Sequence, residues 1–126
     1  MSISLPPEKK KELIKILKQI SQGCELEALA VVTDEGIKVA FFAEKSADPD
    51  LLSAVSSAVL STGEMVTKQL SHGFLEQVLI RGAKGFTILS NLENYLLIGA
   101  SKDLHSVGLA IQVIRRHSPT IAELLN

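Results

Sequence analysis

The sequence predicts a small α/β domain of the α+β kind, with elements in the order α-β-β-α-β-β-β-α. Three observations carry that expectation: three stretches with apolar residues at helical spacing, five short apolar runs rich in β-branched side chains, and glycine-bearing turns between runs. At 126 residues, 46% hydrophobic and 21% charged, the chain has material for one core and is read as a single domain over 1–126.

The first helix is expected over about 7–21. Pro6 and Pro7 suit a helix entry, because a proline in the first turn gives up no needed hydrogen bond. Leu13, Leu17 and Ile20, with Ile14 and Ile16 beside them, form its apolar stripe, and Lys9, Lys10, Lys11, Lys15 and Lys18 read as a solvated face. Ala28–Thr33 and Ile37–Ala43 read as strands joined by Asp34-Glu35-Gly36, where Gly36 can take the positive φ of a tight turn.

Asp48-Pro49-Asp50 offers a cap for a long helix reaching about Ser71. At about 100° per residue, Leu52, Val55, Val59, Gly63, Val66 and Leu70 fall on one stripe, expected to rest on a sheet. A second row, Leu51, Ala58 and Met65 with Ala54 nearby, widens the apolar arc beyond what one contact needs and points to a second body there, the alternative being another element of the same chain.

Phe74–Arg81 reads as the third strand, followed by a Gly82-Ala83-Lys84-Gly85 turn and a fourth strand over Phe86–Ser90. After a turn at Asn91–Asn94, Tyr95–Ala100 has almost no polar interruption and is expected to lie centrally in the sheet. A last helix starts near Asp103, with Leu104, Val107, Ile111 and Ile114 on its stripe; Ser118-Pro119 is expected to break it before a short turn at Ile121–Leu125.

Composition removes several functions. Thirteen Lys+Arg against fourteen Asp+Glu, with no basic block, argue against nucleic acid. Phe41, Phe42, Phe74, Phe86 and Tyr95 sit in apolar runs and read as core. Cys24 is the only cysteine, so no intrachain disulfide can form, and a reducing cytoplasm suits the chain. Charges interrupt Met1–Lys18 too often for a signal peptide, and the uncharged stretch Leu51–Gly63 is too short to insert across a bilayer.

No catalytic, cofactor-binding or metal set emerges. His72, His105 and His117 lack metal-site spacing, and Ser101, Asp103 and His105 lack a nucleophile turn, so Ser101 and Asp103 read as helix caps. Gly82–Gly85 joins two strands and lacks phosphate-loop spacing. Cys24 has no recognisable base beside it.

The element order, together with four segments, resembles the roadblock / dynein light chain family, whose fold is related to profilin and longin domains. The segments are Val31–Ala40 around its turn, the small-residue helix Leu51–Leu70, Leu75–Arg81 through Gly85–Leu89, and Leu96–Ser101 leading into Val107-Gly108-Leu109. The specificity lies in their order and spacing.

The resemblance implies a five-stranded antiparallel sheet with the middle helix on one face and the two terminal helices on the other. It implies a homodimer joined through third strands and middle helices, here through Leu51, Ala54, Ala58 and Met65 and through Phe74, Leu75, Gln77 and Leu79. Members of such a family regulate or scaffold small Ras-like GTPases, or bind motor subunits. The outward face of the paired helices, here Ser53, Ser56, Ser57, Leu60, Glu64 and Lys68, is the implied partner surface. A GTPase would be reorganised without an inserted residue, so Arg81, Arg115 and Arg116 are not read as arginine fingers. The competing expectation is an adaptor that binds a peptide or a motor- or membrane-tethered complex without regard to nucleotide state.

Overall fold

The computed structural model describes residues 5–43 and 48–126, and the side chains of Phe41 and Ala43 lie outside that description, as do the expectations for residues 1–4. The elements are α1 (Pro7–Gly23), β1 (Ala28–Thr33), β2 (Lys38–Ala43), α2 (Pro49–Gln69), β3 (Gln77–Gly82), β4 (Gly85–Asn91), β5 (Tyr95–Ser101), a 3-10 turn (Leu104–Ser106) and α3 (Val107–Leu125). The strands form one antiparallel sheet in the order β2-β1-β5-β4-β3. β5 is central, as its unbroken apolar run predicts, and β2 and β3 are the two edges.

Alternation along the inner strands splits the core into two layers. Leu29, Val31, Phe86, Ile88 and Leu97 face α1 and α3, and meet Leu13, Leu17, Ile20, Ile114 and Ile121. Ala30, Val32, Leu89, Leu96 and Ile98 face the other way, onto α2. One helix on one face and two on the other is therefore the observed layering.

Local chemistry sets the element ends. The Asp48 carboxylate accepts the amides of Asp50 at 3.1 Å and Leu51 at 3.2 Å, capping α2. Gly36 takes φ +87°, and a Cβ there would meet the Ala54 Cα at 3.0 Å, so its bare backbone lets the β1–β2 turn lie on α2. Asp103 caps the 3-10 turn by accepting the His105 amide at 3.0 Å, and Ser101 Oγ accepts the Asp103 amide at 3.0 Å.

Two expected boundaries are corrected. Ser118-Pro119 does not break the last helix, because α3 runs through it to Leu125. Pro119 is exposed, Ser118 Oγ donates to the Ile114 carbonyl at 2.7 Å, and buried Ile121 and Leu125 hold the final turns against the core. The third strand starts at Gln77 and not at Phe74, because Asn91 draws the preceding backbone into side-chain and loop bonds. Its side-chain amide donates to the Leu75 carbonyl at 2.9 Å, and its backbone amide donates to the Glu76 carbonyl at 2.9 Å.

The larger correction concerns which way α2 is turned. Ser53, Ser56 and Leu60 are its buried residues, with Leu60 seated among Ala30, Val32, Leu89, Leu96 and Ile98. Val55, Val66 and Leu70, expected on the sheet, are exposed. The helix is rotated about 100°, one residue, from the orientation that its apolar stripe predicts. Serine can face the sheet because Ser53 Oγ donates to the Pro49 carbonyl at 2.6 Å within the helix, so that hydroxyl enters the interface already satisfied. Small side chains then let Leu60 reach the sheet. Leu60→Ala is expected to cost about 2–5 kcal/mol of stability in urea unfolding, as for other buried leucines; a loss well under 1 kcal/mol would contradict this seat for α2.

Candidate functional site

The rotation of α2 exposes a helical face with no charge on it. Leu51, Ala54, Val55, Ala58, Ser61, Thr62, Met65, Val66 and Gln69 are all exposed, and Leu51 and Met65 reach 62% and 70% exposure. Exposed helix faces are ordinarily charged, so an uncharged one over five turns marks a contact surface. Glu64 and Lys68 are also exposed but sit on one flank, closer to the sheet.

The two flanks of α2 have different neighbours. On one side, a Cβ at Gly63 would lie 3.0 Å from Leu75 and 3.3 Å from Val78, so the flank holding Val59, Gly63 and Val66 stands over β3. On the other side, Ser57 Oγ donates to the Asp34 carbonyl and Gly36 abuts Ala54, so this flank lies over the β1–β2 turn. Leu51, Ala58 and Met65 therefore crown the helix, away from the sheet.

β3 completes the surface. It pairs with β4 on one side, and among the described residues nothing pairs with its other side. Leu79 and Ile80 are exposed on opposite faces of this edge, at 46% and 43%. Phe74 is exposed in the loop before it. Leu75 and Gln77 are half-buried and engaged within the chain, Leu75 against Gly63 and Gln77 through its amide at 3.4 Å from the Ile111 carbonyl.

The site expected from sequence is thus partly rearranged. Ser53, Ser56 and Leu60 do not lie on the outward face but under the helix, and Ser57 is half-buried. Of that partner set, only Glu64 and Lys68 remain exposed. Leu51, Ala54, Ala58 and Met65, expected in the dimer contact, are exposed on the crown of α2 and its β1–β2 flank. Val55, Thr62, Val66 and Leu70 join the surface without having been expected there, and the absence of charge from positions 51 to 63 is the signal that marks the first two.

The groups with chemical potential are held in structural roles. Ser101, Asp103 and His105 make successive turn bonds through backbone amides, and no group of three or more His, Cys, Asp or Glu among the described residues could hold a metal. Cys24 is buried at the C-terminal end of α1, donates to the Ile20 carbonyl at 3.4 Å, and burial pushes its thiol pKa above the ordinary value. No described helix is long and apolar enough to cross a membrane.

Comparison with known proteins adds to this geometry. The family model described as the Roadblock/LC7 domain matches residues 15–102. Two uncharacterized proteins of Methanocaldococcus jannaschii are each 23% identical over 107 residues, which is 85% of this chain and 94% of theirs. The gliding protein MglB from Thermus thermophilus superposes with a TM-score of 0.87 at 15% identity, covering 98% of this chain and 95% of that one. A structure of MglB in a tetrameric arrangement also gives 0.87, at 14% identity, covering 98% and 94%.

Burial of Cys24 has a measurable consequence. Its pKa is raised in the folded state, so above the ordinary thiol range the unfolded chain releases this proton first and stability falls with rising pH. Urea unfolding at neutral and alkaline pH is expected to give a smaller alkaline loss for Cys24→Ala than for the parent; equal losses would contradict the assignment.

Proposed function

This chain belongs to the Roadblock/LC7 domain family, and from that premise we propose that it is a non-catalytic, homodimeric regulator or scaffold for a small Ras-like GTPase. The observation that carries the pairing is the uncharged exposed face of α2 standing beside the unpaired edge of β3. Two copies joined along β3 would satisfy each other's free backbone groups and remove an edge open to aggregation.

In that arrangement Val55, Val59, Val66 and Leu70, on the flank over β3, meet their counterparts across the two-fold axis. Their burial supplies a dry contact, with Thr62 small enough to permit close helix approach. Leu51, Ala54, Ala58 and Met65 are then left on the crown of the helix pair, with Glu64 and Lys68 on the outer flank. We assign this apolar, charge-rimmed ridge to the GTPase. The GTPase class itself comes from the family resemblance, and no residue of the ridge acts as an acid, base or nucleophile.

Adjacent substitutions separate the two surfaces. Val66→Glu is expected to shift the dimer to monomer by light scattering at micromolar concentration, because it buries an unpaired charge in the contact. Met65→Glu should remain dimeric and lose retention of a GTPase in pull-downs against small GTPases loaded with GTP or GDP. A monomeric parent protein would end the pairing reading. Equal retention of both nucleotide states would leave the adaptor reading in place of the regulator.

A further inference from the structure

Among the described residues nothing pairs with the outer side of β2, the other edge of the sheet, and the layer above it is incomplete. Five strands span about 19 Å between the outer two, whereas α1 and α3, packed on each other, sit about 8–10 Å apart and cover the middle of the sheet. Beyond α1 an open groove of about 370 Å³ is left along β1 and β2. Ile14, Leu17, Leu26, Leu29 and Phe42 line it, and Phe42 is half exposed. Phe42 is registered with Leu29 across the β1–β2 ladder, which puts it on the α1 side of the sheet.

The α1 wall of this groove belongs to a basic helix. α1 carries five lysines against two glutamates, +3 in a chain whose net charge is −1. Among the described residues none of those lysines makes an ion pair. Lys18 lines the groove, and Lys11 stands two helical turns, about 10 Å, away on the same flank of α1. Glu27, the acidic group among the described lining residues, lies 3.7 Å from Lys102, which offsets its charge.

We propose that this groove receives an acidic, extended segment of a partner protein, added to the free edge of β2 as a sixth strand. Three independent features converge on that occupant. An unpaired strand edge offers backbone donors and acceptors to an extended chain. Alternate side chains of an added strand point to the α1 side of the sheet, next to Phe42 at the rim of the apolar groove. Lys18 on the groove wall and Lys11 further along the same flank of α1, neither in an ion pair among the described residues, attract carboxylates and disfavour basic sequences. A lipid surface fits less well, because the apolar residues line a concavity and do not crown a protruding face. The groove lies at the opposite end of the sheet from β3, so a dimer paired there keeps both copies of it open.

The test uses the full chain and a fluorescein-labelled peptide of about ten residues alternating glutamate with valine, and its lysine-for-glutamate counterpart as control. Fluorescence polarisation is expected to give saturable binding of the acidic peptide only, lost by about 0.5 M salt as exposed charges are screened. The double variant Lys11→Glu/Lys18→Glu, confined to exposed positions, should weaken it roughly tenfold or more. Amide shifts on titration should fall on Lys38–Phe42 and on α1. No saturable binding, equal binding of the two peptides, insensitivity to the double variant, or shifts confined to α2 and β3 would each overturn the proposal. So would lysine-dependent binding of anionic phosphatidylserine vesicles by a protein that ignores the peptide.

Discussion

Leu60 entering the sheet between Ala30, Val32, Leu89, Leu96 and Ile98 is the contact on which the outer architecture depends. A helix on a sheet can rotate about its axis at little cost if its side chains are alike. Here one leucine among serines supplies nearly all the apolar burial on the sheet-facing line. Because Leu60 fixes the rotation, Gly63 must stand over β3, Ser57 must meet the β1–β2 turn, and Leu51, Ala58 and Met65 must crown the helix. A rotation by one residue would exchange all three roles.

The other side of the sheet has a different logic. α1 and α3 are strongly amphipathic; the buried stripe of α1, Leu13, Leu17 and Ile20, is legible in the sequence, whereas on α3 only Ile114 of the expected stripe is fully buried, Leu104, Val107 and Ile111 are partly buried, and Ala110, Val113 and Ile121 complete the line. They pack over the central strands and complete one core layer with Leu29, Val31, Ile88 and Leu97. Exposed ion pairs such as Arg115 with Glu76 at 3.7 Å contribute little to this arrangement. The sheet is wider than two helices, so among the described residues both of its edges are left unpaired, each with its own chemistry: apolar side chains at β3, an apolar groove bordered by Lys18 of α1 at β2.

The α2 sequence shows its cap at Asp48, its apolar stripe and, through Gly36, a tight β1–β2 turn that comes to lie against it. Its most apolar stripe nevertheless does not face the sheet of the same chain. In a helix that buries two faces, one against its own sheet and one against another molecule, the greater hydrophobicity can belong to the second. Leu60, which the family resemblance assigns to the outward partner surface, is the residue that marks the inward face.

The sequence by itself determined the element order, the hairpins, the central place of the fifth strand and the amphipathic faces of α1 and α3, because each follows from local periodicity and turn chemistry. Only the tertiary structure decided the rotation of α2, the continuity of α3 through Pro119, and which residues of α2 adjoin β3. Those outcomes turn on competition between distant groups: a leucine against a valine for one site on the sheet, or the burial of Ile121 and Leu125 against a missing helix hydrogen bond. Periodicity ranks the faces of an element, but the surfaces that come to lie opposite them decide which face is used.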